Sequence, residues 1–137
     1  MSTKDLILVS ACLAGLATRY DGKAGRCPEC LEAIGRAPWI PLCPEQLGGL
    51  PTPRCPADII NGDGSDVLHG RARVICTDGS DVTAAFIEGA RQVLEVARRQ
   101  PIRTVFMKAR SPSCGVSRLG VTAALLQQHG YEVVEFG

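Results

Sequence analysis

The chain carries almost no net charge: 15 lysines and arginines against 14 aspartates and glutamates leave a formal +1 over 137 residues. So weak a field does not gather a polyanion, and no run of basic residues forms a stripe to hold one, so a nucleic-acid polymer is not an expected partner. Long apolar runs are missing too. No window approaches the ~20 consecutive apolar residues of a membrane span, and the first ten residues lack a basic segment leading into an apolar one. The expectation is a soluble, cytoplasmic protein with no membrane partner. Gly62-Asp63-Gly64 and Gly48-Gly49 lack the spacing of a phosphate loop or a dinucleotide fingerprint, which removes a nucleotide cofactor. Histidine is scarce, and neither His69 nor His129 is spaced to complete a zinc site with Cys27-Pro28-Glu29-Cys30.

Cysteine, by contrast, is plentiful. There are seven, an odd number that cannot pair completely, and a reducing compartment keeps thiols free, so metal binding, catalysis or burial are the roles left. With 45% hydrophobic and 21% charged residues, the length suits one domain, residues 1–137, built on a single core.

Leu6 to Ser10 reads as a central strand covered on both faces. It runs into the small-residue loop Ser10-Ala11-Cys12-Leu13-Ala14-Gly15. Pro28 opens a short helix through Ile34, and Trp39 to Leu42 is a second strand, with Pro41 marking it as an edge. Pro44 to Gly70 shows little periodicity and reads as a long functional loop. Arg71 to Thr77 alternates as a small strand. Asp81 is the expected N-cap of an amphipathic helix with apolar residues at Val82, Ala85, Phe86, Ala90, Val93, Leu94 and Ala97. Thr104 to Met107 is a third buried strand, Val121 to Gln128 a last helix stopping at Gly130, and Glu132 to Phe136 a final strand. Strands alternating with helices predict an α/β fold, a Rossmann-like three-layer sandwich with a mostly parallel sheet.

On that reading Cys12, Cys43 and Cys114 each lie just past the end of a strand. If the first strand lies between the second and third, they emerge as neighbours at the carboxyl edge, where open α/β sheets build their ligand crevice. A buried cysteine taken singly is usually a small hydrophobe. Three at equivalent positions point to a soft metal centre. Glu45, two residues from Cys43, puts a carboxylate where it could move a proton. Ser111 and Ser113 place hydroxyls beside Cys114, either to orient a substrate or to brace the loop. Cys27 and Cys30 form a lone C-x-x-C with a structural or accessory role, and Cys55 and Cys76 read as packing residues.

Taken together, Leu8-Val9-Ser10-Ala11-Cys12-Leu13, Arg19-Tyr20-Asp21-Gly22, Pro44-Glu45-Gln46-Leu47-Gly48-Gly49-Leu50-Pro51-Thr52-Pro53-Arg54, Asp81-Val82-Thr83 and Arg110-Ser111-Pro112-Ser113-Cys114-Gly115 resemble the bacterial family that includes the 2-thiouracil desulfurases. The likeness runs in order from about Leu6 to Leu126. It implies an enzyme with a [4Fe-4S] cluster held by three cysteines, one iron staying open, with Cys12, Cys43 and Cys114 as ligands and Glu45 and Ser111 as catalytic residues. The implied reaction removes sulfur from a thiolated pyrimidine base, 2-thiouracil or a related small thiocarbonyl compound, and releases sulfide. Two departures stand out: only Val116, Ser117, Arg118 and Leu119 separate Gly115 from the Gly120-Val121-Thr122-Ala123 motif that opens the last helix, and Cys27, Cys30 and Cys55 are added thiols. The alternatives are a non-enzymatic metal, iron–sulfur or sulfur-carrier module, and a dithiol redox protein working through Cys27 and Cys30.

Overall fold

The computed structural model describes residues 6–137, so residues 1–5 of the expected domain lie outside the described residues. In chain order the elements are β1 (Leu6–Ser10), a 3-10 turn (Ala11–Ala14), α1 (Pro28–Ile34), β2 (Trp39–Leu42), α2 (Pro44–Leu47), β3 (Ala57–Ile60), α3 (Gly64–Leu68), β4 (Arg73–Cys76), α4 (Thr83–Arg98), β5 (Ile102–Lys108), α5 (Val121–Gln128) and β6 (Glu132–Phe136). Four strands form one parallel sheet in the order β2-β1-β5-β6. β1 is central and β2 is an edge, which leaves the missing N–H of Pro41 harmless.

Alternation along the strands divides the apolar side chains between two layers. Leu8, Val105 and Met107 pack against Val93, Leu94 and Ala97 of α4 and Leu126 of α5. Val9 and Phe106 face the opposite way, onto Cys27, Cys30 and Ile34 of the α1 side. There Phe106 and Phe136 meet edge to face, with ring centroids 4.9 Å apart. The result is the expected sandwich of helix, sheet and helix, but the apolar interior is not a single core. A third cluster, including Ile59, Val67, Val74, Phe86, Ala90 and Val121, lies under the antiparallel pair β3-β4.

That pair corrects the expectation of a structureless Pro44 to Gly70. The segment contains α2, β3 and α3, none longer than five residues, too short for apolar periodicity to register. α3 is closed by a capping box between Asp63 and Asp66. The small strand is also shorter than Arg71 to Thr77, covering Arg73–Cys76. Nor is Asp81 the N-cap of α4: Val82 occupies that position. Asp81 forms a β-bridge with Ile75, while its carboxylate accepts from the Thr83 N–H at 2.9 Å and from Arg73 at 2.6 Å.

Two glycines set how closely α2 lies on α4. A Cβ at Gly48 would overlap the Ala85 carbonyl oxygen, and one at Gly89 the Pro44 carbonyl oxygen. Backbone carbonyls have no rotamer to escape into. Gly89→Ala is therefore expected to destabilise the fold: overpacking of about 1–3 kcal/mol outweighs a helix-propensity gain of about 1 kcal/mol. Urea unfolding checks this, and a more stable variant would contradict the close approach.

Cys30 offers a second check on the core. Burial first, then the neighbouring Cys27 and Cys12, push its thiol up to about 11. The folded state thus prefers the protonated form, whose contribution is complete below the unfolded thiol's range near pH 8.5 and is lost as pH rises through about 11. Stability followed by denaturant titration is expected to fall across that window in the wild type, and less steeply in Cys30→Ala.

Candidate metal centre

The site stands at the carboxyl edge of the parallel sheet, where central β1 is flanked by β2 on one side and β5 on the other. Cys12 leaves β1 in the 3-10 turn, Cys43 is the N-cap of α2 directly after β2, and Cys114 sits in the loop after β5. All three line one cavity of about 320 Å³, together with Glu45 and Ser111. The five site residues expected from the sequence therefore share a single space.

The loop carrying Cys114 is held by its own backbone. The N–H groups of Val121, Thr122 and Ala123, orphaned at the start of α5, donate to the Pro112 and Ser113 carbonyls at 2.9 to 3.1 Å. The Ser113 hydroxyl meets Thr122 Oγ1 at 2.7 Å in full burial. Ser111 Oγ accepts from the N–H groups of Ser113 and Cys114 at 3.1 and 3.0 Å. Its lone pairs brace the loop, one of the two roles weighed for serine here. The short Val116 to Leu119 connection is anchored by Glu135, which accepts from the N–H of Val116 at 2.7 Å and of Ser117 at 3.0 Å.

Glu45, in the first turn of α2, accepts from Arg54 Nε at 2.8 Å, and both side chains are largely buried, 16% and 6% exposed. The same guanidinium reaches the Thr18 carbonyl at 2.9 Å, Thr52 Oγ1 at 2.8 Å and Cys43 Sγ at 3.7 Å. Arg54 thus joins a proposed base to a proposed ligand. Sequence reasoning gave it no role beyond membership of a motif, and the available signal was its place at the end of the Pro-Thr-Pro-Arg run. Ser10 was missed as well. Its hydroxyl lies 3.3 Å from both Cys114 Sγ and Met107 Sδ and accepts the Lys108 N–H at 3.1 Å.

The thiols themselves sit in a costly environment. Burial pushes Cys114 up to about 12, opposed by the Ser10 hydroxyl and reinforced by the charges of Glu45, Cys43 and Cys12. Burial likewise raises Cys12, with Lys108 working against it. Thiols raised by burial, as Cys12 and Cys114 are, give up their protons when a bound cation neutralises the sulfurs, which is how metal binding displaces protons. Three sulfur donors lining one cavity make a donor set suited to a soft metal centre, iron–sulfur clusters included.

The remaining cysteines separate by environment. Cys27 and Cys30 are both buried in the α1 layer, and the raised Cys30 thiol is the reverse of an activated dithiol. Cys76 is buried as expected of a packing residue, whereas Cys55 is half-exposed and meets Thr77 Oγ1 at 3.0 Å.

A family model described as 2-thiouracil desulfurase matches residues 7–135. The Bacillus subtilis (strain 168) protein YbbK, described as uncharacterized, is 40% identical over 142 residues, covering 94% of this chain and 94% of its own. Among solved structures, a [4Fe-4S]-dependent thiouracil desulfidase, TudS, superimposes with a TM-score of 0.80 at 40% identity, over 96% of this chain and 91% of that one. With the family matched across nearly its whole length, the chain belongs to the 2-thiouracil desulfurase family.

Proposed function

We propose that this chain is an iron–sulfur-dependent desulfidase that hydrolyses the C–S bond of a thiolated pyrimidine base such as 2-thiouracil, with residues 1–137 acting as one domain. The observation that carries it is the convergence of Cys12, Cys43, Cys114, Glu45 and Ser111 on one cavity in a member of this family. Cys12, Cys43 and Cys114 would hold a [4Fe-4S] cluster with one iron lacking a protein ligand; when bound, such a cluster supplies a soft Lewis acid suited to sulfur.

The protein's part is positioning and proton transfer. Glu45 takes a proton from the water that adds to the thiocarbonyl carbon, and the Arg54 fork keeps its carboxylate aimed. Ser111, its oxygen committed to two backbone donors, directs its proton to the substrate. Lys108 and Arg19 line the cavity and offset the negative charge gathered there. Water enters, the carbonyl compound and sulfide leave, and no net oxidation or reduction occurs. A carrier role is the weaker reading, because the family and the solved relative are desulfurating enzymes and a proton-moving carboxylate beside the thiols has no use in a carrier.

The test is sulfide release from 2-thiouracil by anaerobically reconstituted protein. Cys12→Ser, Cys43→Ser and Cys114→Ser are each expected to lose iron and activity together, and Cys27→Ser neither. Glu45→Ala is expected to keep its iron and lose about 10²–10⁴-fold in rate, the usual worth of a proton-transfer group. Absence of sulfide from every thiolated base, with iron loaded, would refute the enzymatic reading.

Arg54→Lys separates charge from geometry. The ammonium keeps the charge but not the fork that spans Glu45, Thr18 and Cys43, and a loss of about 10–100-fold in activity or iron affinity is expected. Wild-type rates in that variant would show that charge alone suffices.

A further inference from the structure

The second cysteine cluster lies outside the cavity just described. Cys55 Sγ, Cys76 Sγ and a carboxylate oxygen of Asp78 all lie within 4.8 Å of one another. They come from two short stretches. Cys76 ends β4 and Asp78 follows in the turn closed by the Gly79 N–H to the Cys76 carbonyl at 2.9 Å and the Cys76 N–H to the Ser80 carbonyl at 2.8 Å. Cys55 is brought alongside by the Thr77 N–H, which donates to the Pro56 carbonyl at 2.9 Å.

We propose that Cys55, Cys76 and Asp78 form a second, mononuclear metal site for a borderline-soft divalent cation of the zinc class, with one coordination position left to water. Two thiolates select such an ion over magnesium or calcium, whose sites are built from oxygen. The ligands already have the orienting partners that metal sites use. Thr77 Oγ1 lies 3.0 Å from Cys55 Sγ, and the Asp78 carboxylate accepts from Ser80 N–H at 2.9 Å and Ser80 Oγ at 2.6 Å. Cys76 Sγ, 3.8 Å from the Cys55 carbonyl, gives up its proton when the ion binds. Access is open, because Cys55 is half-exposed and Asp78 is on the surface.

The position gives the site a consequence. Cys55 directly follows Arg54, and a cavity of about 190 Å³ lined by Glu45, Arg54, Cys55 and Cys76 lies behind the Glu45–Arg54 pair. An ion there ties the chain leaving Arg54 to the β4 turn, fixing from behind the residue that holds Glu45 and Cys43 in front.

The experiment is zinc retention by wild-type protein reconstituted anaerobically with iron and sulfide, then incubated with zinc and desalted. About one zinc ion per chain is expected, with sulfur at about 2.3 Å and oxygen at about 2.0–2.2 Å in the zinc-edge absorption spectrum. Cys55→Ser and Asp78→Asn, both at accessible positions, are expected to lower zinc affinity at least about tenfold, in the range of disrupted ligand shells, with iron content unchanged. Three results would overturn the site: no retained zinc, equal retention in Cys55→Ser, or zinc appearing only as iron is lost. A Cys55–Cys76 disulfide in the anaerobic protein, seen by mass spectrometry, would overturn it as well. The readout is the zinc difference between wild type and variant, so failure of iron loading or of desulfidase activity leaves it interpretable.

Discussion

The Arg54 guanidinium is the interaction on which the arrangement of the site depends. It reaches the Glu45 carboxylate, the Thr18 and Pro51 carbonyls, the Thr52 hydroxyl and the Cys43 sulfur, which the chain would otherwise leave independent. Its backbone is pinned in turn, with the Arg54 N–H donating to the Tyr20 carbonyl at 2.7 Å. A largely buried guanidinium needs its donors filled, and a largely buried carboxylate needs a cation, so each requirement meets the other. Lysine has a single point of charge and could serve one or two of these partners, not all. The long segment after α2 therefore folds back to the sheet edge for an electrostatic reason as much as an apolar one.

The parallel sheet and the placement of three cysteines just past strand ends were legible because they rest on strong local signals, whereas the strand order entered only as a condition. Leu6-Ile7-Leu8-Val9 is uninterrupted, Pro41 marks an edge, and α5 and β6 begin and end where Gly130 and its neighbours predict. β3 and α3 escaped because four or five residues carry too little periodicity, and their stability comes from Phe86, Ala90 and Val121 elsewhere in the chain. The cap of α4 was misread by one position since Asp81 is drawn into a β-bridge with Ile75 and a pair with Arg73. Arg54 could not be singled out among fifteen basic residues without knowing that Thr18 and Cys43 would be beside it. The resemblance to a known family located the motif around Arg54, but not the hydrogen bonds through which it acts.

Environment, and not cysteine number, decides what each thiol does. Seven thiols look interchangeable in the sequence, yet the fold sorts them. Cys27 and Cys30 are interior packing between α1 and the sheet, although their spacing is that of a redox pair. Cys55 and Cys76, far apart in the chain and without a recognisable spacing, converge with Asp78. Through-space neighbours across an antiparallel pair leave no spacing signature, since their separation reflects the length of the intervening α3 excursion and not ligand geometry.

The central tension of the site is that two of its three sulfurs, those of Cys12 and Cys114, are buried where thiolates are costly. Cys114 is the extreme case, with its thiol driven to about 12 chiefly by loss of water. A pocket meant only to present reactive thiols would be wetter and more basic. This one instead supplies weak compensations, a Ser10 hydroxyl for Cys114, and Lys108 and Arg19 for Cys12, while the edge of Arg54 lies 3.7 Å from Cys43 Sγ. At Cys12 and Cys114 they do not outweigh burial, and they would favour a sulfur held by a cation. The same burial that makes the thiols poor nucleophiles makes the anionic, metal-bound form dependent on its ion, so cofactor binding and local order are expected to rise and fall together. That dependence gives the rigid glycine-to-backbone packing of α2 on α4 its purpose, because Cys43 and Glu45 are carried on a helix of one turn that has no stability of its own.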